Sequence, residues 1–168
     1  MLATMIGGVM RRDLKALRRE LEAYGDERAI WALPKGVSNS AGTLALHLAG
    51  NLQAFIGAKL GGSGYVRDRD AEFNSRDLPR ADLLRLVDDA LAAVERTMPK
   101  LSDADMAKPF PMPIAGATID TGDFLIHLAA HLTYHLGQID YHRRIVTGET
   151  GAIAAVLPTE LSSARKNA

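Results

Sequence analysis

Four of the five histidines in this chain, His127, His131, His135 and His142, fall between Asp123 and His142. On a helix turning about 100° per residue, a four-residue step advances a side chain by only about 40°, so His127, His131 and His135 share one narrow stripe. Gln138 and His142 project onto the same stripe. The surroundings suggested by Leu44, Phe124 and Leu128 are apolar, where imidazoles cost desolvation unless something binds their nitrogens. A divalent metal ion is the simplest such partner. Neutral imidazole suits zinc and nickel, and two histidines four apart on a helix place their rings at adjacent vertices of one coordination sphere. His131 and His135 supply that pair. His127 lies roughly 12 Å from His135 along the helix axis, too far to share one ion with it, and is expected as a packed or supporting residue. His142, two turns beyond His135 and near the helix end, is expected to be solvated or to cap the C-terminus. The third ligand must come from elsewhere, and the only histidine outside this helix is His47. Three protein ligands leave a position open for water or substrate, as catalytic zinc sites do.

Helices must position these side chains, and the apolar periodicity supplies four. Met10, Leu14, Leu17, Leu21 and Tyr24 alternate four- and three-residue steps among charged neighbours, giving a first amphipathic helix stopped near Gly25. Ser38-Asn-Ser40 offers N-cap residues for a second helix running to about Lys59 and ended by Gly61-Gly62, with Leu44, His47, Leu48, Asn51 and Phe55 on its inner face. Pro79 marks the first turn of a third helix, whose stripe of Leu83, Val87, Ala90, Leu91, Val94 and Met98 ends at Pro99. Thr121 is expected to cap the histidine helix, with Asp123 in its first turn and Gly148 closing it. Between these helices, Gly61 to Phe73 is glycine-rich and then densely charged, an ordered crossover loop without the Lys-Ser/Thr ending of a phosphate loop. Tyr65, Arg67 and Arg69 are assigned to a surface salt-bridge loop rather than to a mouth recognising an anion. Met112 to Ile119, in the proline-bearing loop before the last helix, is expected to be locally extended at most. The fold class is therefore all-α, a four-helix bundle with long crossover loops over residues 1–151. Residues 152–168 form a C-terminal tail, partly ordered or a short helix, with almost nothing to bury after Ser162.

Lys plus Arg and Asp plus Glu are both 20, so a formal charge of zero gives no global field for nucleic acid or an anionic membrane. The mixed charges of the first helix fit a solvated face. Cysteine is absent, which removes disulfides, thiolate ligands and a cysteine nucleophile, and makes a cytoplasmic chain the default. Any thiol chemistry requires a thiol from a cosubstrate. The apolar runs fall short of the roughly 20 residues of a spanning helix, and no signal peptide is read at Met1 to Met10.

His131-Leu-Thr-Tyr-His135-Leu-Gly-Gln-Ile139, with His47 in Leu46-His-Leu-Ala-Gly-Asn51 far upstream, resembles the DinB/YfiT-like superfamily of metal-binding four-helix bundles. The likeness takes in Gly61 to Phe73 and Tyr141-His-Arg-Arg, and extends from about residue 5 to 150. It implies that His47, His131 and His135 bind a divalent ion, commonly zinc or nickel. Relatives in that superfamily include thiol-dependent S-transferases, such as bacillithiol transferases, and also the mycothiol-dependent maleylpyruvate isomerase. The resemblance also implies a homodimer. The functional expectation is a metal-dependent enzyme of the thiol S-transferase or hydrolase type, acting on a small molecule with a low-molecular-weight thiol or water as nucleophile. Its rival is a non-catalytic metal-binding, structural or interaction bundle. Asn51, Tyr134 and Gln138 either orient ligands or substrate through hydrogen bonds or satisfy one another inside the bundle.

Overall fold

The structure is a computed structural model that describes residues 1–151, 153 and 156–165. The first helix, α1, runs Leu2–Glu22, starting earlier than Met10 because Ala3 and Ile6 extend the buried stripe of Met10, Leu14, Leu17 and Leu21 upstream. α2 spans Ala41–Leu52, with Ser40 Oγ accepting the Thr43 amide at 3.1 Å as its N-cap. Every residue of α2 is buried, as expected of a helix apolar on nearly all sides and enclosed by its neighbours.

Beyond Leu52 the chain does not continue as an α-helix to Lys59. It widens into a π-helix over Gln53–Leu60, closed by a 2.9 Å bond from the Gly61 amide to the Ile56 carbonyl, five residues back. At its end, Gly61 packs so closely on Thr97 that a Cβ there would overlap the hydroxyl. The following crossover carries a short helix, α3, at Arg69–Asn74, whose N-cap Asp68 accepts the Ala71 amide at 2.8 Å.

α4 covers Arg80–Thr97 directly after Pro79, and buries Leu83, Val87, Ala90 and Val94. A one-turn helix, α5 at Asp103–Met106, interrupts the next loop, where Ser102 and Asp105 form a capping box. Extended pairing in this loop is confined to two isolated bridges, Pro109 with Asp120 and Ile114 with Ala117. α6 spans Thr121–Thr147. Thr121 is its first residue rather than its cap, a position taken by Asp120 without a side-chain bond. Gly148, at φ 72°, ends it and donates its amide to the Arg144 carbonyl at 3.0 Å.

α1 packs on α4 and α6, and α2 packs on the same two helices from the other side, so the four long helices form a closed ring around one core. The architecture is an all-α four-helix bundle, with no strand among the described residues. Charge enters the packing at full burial where Arg143 Nε of α6 donates to Glu20 Oε2 of α1 at 2.6 Å, and again at Asp13, which accepts from Arg12 Nε at 2.7 Å. In the tail, a turn at Pro158–Glu160 is held by Arg19 against Glu160 at 3.3 Å. The expectation for Ala152, Ala154, Ala155 and Lys166 to Ala168 lies outside the described residues.

Candidate metal centre

The inner face of α6 is built from Leu125, Leu128, Leu132, Leu136 and Ile139, all nearly inaccessible. At 100° per residue, His127, His131 and His135 fall just to one side of that stripe, on the flank of the helix rather than in the core. The position explains their graded exposure: His131 and His135 are half-buried and His127 is exposed. On the neighbouring side, the enclosed helix α2 carries His47, which is 7 % exposed.

The three side chains meet. His47 Nε2 lies 3.3 Å from His131 Nε2, and His135 Nε2 lies 3.1 Å from the same atom. All three ligand-capable nitrogens fall within 4.8 Å of one another, and no fourth histidine or carboxylate joins them among the described residues. Three imidazole nitrogens turned toward one point are the donor set that zinc or nickel takes.

The far side of two of the rings is occupied. His135 Nδ1 donates to Gln138 Oε1 at 2.6 Å, and His47 Nδ1 lies 3.1 Å from Glu72 Oε2 and 3.3 Å from Arg67 Nη2. With the proton on Nδ1, each of these rings has a bare Nε2 on the side facing the trio. Glu72 is itself clamped by Arg67, from Nε to Oε1 at 2.7 Å and from Nη2 to Oε2 at 2.8 Å. Phe73, next to Glu72, sets its ring 4.9 Å from that of His47.

Burial disfavours charge on two of the three imidazoles. Burial pushes the His131 imidazole down to about 4, helped by His135, His47, His127 and the Arg67 guanidinium. Burial also lowers His135, with His47 adding to the fall and the Gln138 bond opposing it. For Glu72 burial acts upward, yet the bonds from Arg67 and His47 outweigh it and hold the carboxyl below the ordinary range.

Other expected residues land differently. Asn51 is buried one turn beyond His47, and its Oδ1 has no hydrogen-bond partner. Tyr134 is exposed, its ring 5.2 Å from that of His135. His127 is not packed in the core; it stacks between Phe124 and His131, with centroids 6.0 Å away on each side. His142 is neither solvated nor a cap. It is 3 % exposed, donating from Nε2 to the Ala32 carbonyl and accepting the Tyr24 hydroxyl at Nδ1, both at 2.8 Å. Arg67 does form the salt bridge expected of that loop, but not at the surface, since its partner Glu72 is buried and its own side chain is only 18 % exposed. Glu72 itself was missed: an acidic residue in a charged loop gives no sign that its chain folds back onto α2.

A cleft of about 250 Å³ opens beside Gln138, lined by Val37, Asn39, Leu44 and Tyr141. Another recess, about 280 Å³, lies between α1 and α4 at Gly7, Met98 and Ser162, and neither recess is lined by any of the three histidines.

A family model described as the DinB superfamily matches residues 10–139, a span that includes His47, His131 and His135. The chain belongs to the DinB superfamily. Among curated proteins, none matches it. The bundle and the three-histidine cluster of this DinB chain are thus compatible with a divalent metal ion held between α2 and α6.

Proposed function

We propose that this DinB-superfamily protein holds a divalent transition metal ion, zinc or nickel, on Nε2 of His47, His131 and His135, and is a metal-dependent enzyme of the thiol S-transferase or hydrolase type. The observation that carries this is the convergence of three Nε2 atoms within 4.8 Å while Glu72 and Gln138 occupy Nδ1 of two of the rings. A closed structural site has four protein ligands. Here there are three, and two of them are half-buried, which favours an open position reached from solvent.

When bound, such an ion supplies Lewis acidity, lowering the pKa of a water or thiol and polarising an electrophile. The residues of the chain do the rest. His131 and His135 stay neutral at physiological pH, so each keeps one nitrogen lone pair for a cation. Gln138 fixes the His135 ring by accepting its Nδ1–H. The cleft walled by Val37, Leu44 and Tyr141 reaches the site only through Gln138, the partner of His135, and offers room there for an apolar electrophile. Because the chain has no cysteine, a transferred thiol comes from a low-molecular-weight cosubstrate.

The test is turnover by zinc- or nickel-loaded protein on electrophilic substrates, with and without a low-molecular-weight thiol. Activity that disappears in His131→Ala while the melting curve is retained supports the proposal, and thiol dependence selects the transferase branch. Metal-loaded protein inert toward both nucleophiles would leave a non-catalytic metal-binding bundle.

A further inference from the structure

His47 Nδ1 faces two groups that make opposite demands on it. Glu72 Oε2, at 3.1 Å, only accepts hydrogen bonds; Arg67 Nη2, at 3.3 Å, only donates them. If the His47 proton sits on Nδ1, it bonds Glu72 and leaves Nε2 bare toward His131. If Nδ1 is bare, it accepts from Arg67, the proton moves to Nε2, and the side chain is blocked as a ligand. The two arrangements exclude each other, so the balance between Glu72 and Arg67 sets the ligating competence of His47.

We propose that Glu72 is a positioning residue that holds the His47 proton on Nδ1, with Arg67 acting both as the clamp that fixes Glu72 and as the competing donor that Glu72 restrains. This rests on the three-histidine metal site proposed above.

Several features fix Glu72 in that role. Both its oxygens are engaged by Arg67, and a carboxylate in a two-bond guanidinium fork is oriented as well as charged. It rides on α3, whose capped start holds the turn that presents it. It also lies flat on Gly50 of α2, one turn from His47, where a Cβ would overlap Oε1 and crowd Cδ at 2.8 Å. Arg67 is steadied from the other side by the Phe55 ring, 5.6 Å from its guanidinium carbon. Gly50, Phe55, Arg67, Glu72 and Phe73 thus form one assembly around a single imidazole nitrogen.

The assignment extends to the whole cluster. With Nδ1–H of His47 given to Glu72 and Nδ1–H of His135 given to Gln138, both flanking Nε2 atoms are bare. His131 Nε2 is then the atom that carries the proton shared across the 3.1 and 3.3 Å contacts. Loading a cation requires that one proton to move to the other side of His131, and no rearrangement of His47 or His135.

The experiment is carried out on the untagged full chain. Zinc dissociation constants are measured by competition with a chromophoric chelator for wild type, Glu72→Ala, and Glu72→Ala with Arg67→Ala, and ring-nitrogen NMR of the zinc-free protein locates the His47 proton. Glu72→Ala should weaken zinc binding about 10- to 100-fold. Removing Arg67 as well should regain about tenfold of that loss, because the competing donor has gone. A merely structural role predicts the opposite, a double variant at least as weak as the single one. The wild-type spectrum, which needs no variant to fold, should show the proton on Nδ1. A proton on Nε2 of wild-type His47, zinc affinity unchanged in Glu72→Ala, or no recovery in the double variant overturns the proposal. Wild type that binds no zinc overturns the metal site and this role together, whereas normal wild-type binding with indifferent variants overturns this role alone.

Discussion

Burial holds the His131 imidazole down to about 4, against 6.5 for the free group, and this has a consequence for the metal-free protein. Between those two values the unfolded chain takes up a proton at this position and the folded chain does not. Stability contributed by neutral His131 is therefore complete above pH 6.5, is lost as pH falls toward 4, and changes no further below that. Discounted for a half-exposed ring, the loss is about 1–2 kcal/mol, to be read from urea midpoints across this window. His131→Asn should flatten that slope. At the same scale, Gly50→Ala places a methyl group where the Glu72 carboxylate lies and should weaken zinc binding about tenfold with the helix content unchanged. An affinity equal to wild type would show that Glu72 can move without loss. The histidine pair was legible because helical spacing alone puts two rings side by side, and His47 followed as the one histidine left outside that helix. Glu72 and Arg67 were not legible. Their contact with His47 spans 25 and 20 residues and depends on a loop path that composition does not encode.

Among the elements, α6 serves two purposes on adjoining strips, with leucines facing the core and imidazoles at the rim. The strips were legible as periodicity in the sequence, as were the Ser40 cap and the Gly148 stop. The π-helix after Leu52 was not, because an α-helical and a π-helical turn bury the same residue types and differ only in where the carbonyls pair. His142 was misjudged for a related reason. Nearness to a helix end suggested solvent, but α1 and the Glu27–Trp31 turn converge there, and Tyr24 with Ala32 satisfies both ring nitrogens. That pairing ties the end of α1 to α6 away from the metal centre. Tyr24→Phe removes the donor to a buried nitrogen and should cost about 1–3 kcal/mol in urea unfolding, with zinc affinity unaffected. A midpoint equal to wild type would mean that water replaces the hydroxyl.

At the scale of the whole molecule, one core runs through the ring of four helices, and the three histidines lie at its margin rather than at its centre. Removing the ion should therefore leave the bundle folded. With zinc at a hundredfold excess over its dissociation constant, binding contributes about 2.7 kcal/mol, so chelation should lower the melting temperature by roughly 5–10 °C. Circular dichroism should show the helices retained. Collapse of the helical signal on chelation would instead identify the ion as part of the scaffold. The all-α architecture was legible in full because each long helix carries its own apolar stripe, whereas the seating of α3 on α2 emerges only from packing. The most direct test of the central claim is the metal content of untagged full-length protein, measured by mass spectrometry beside His131→Ala. The account predicts about one zinc or nickel ion per chain in wild type and loss of it in a variant that still folds. Wild type that takes up neither ion from a metal-supplemented buffer, or a variant that retains the full complement, would contradict it.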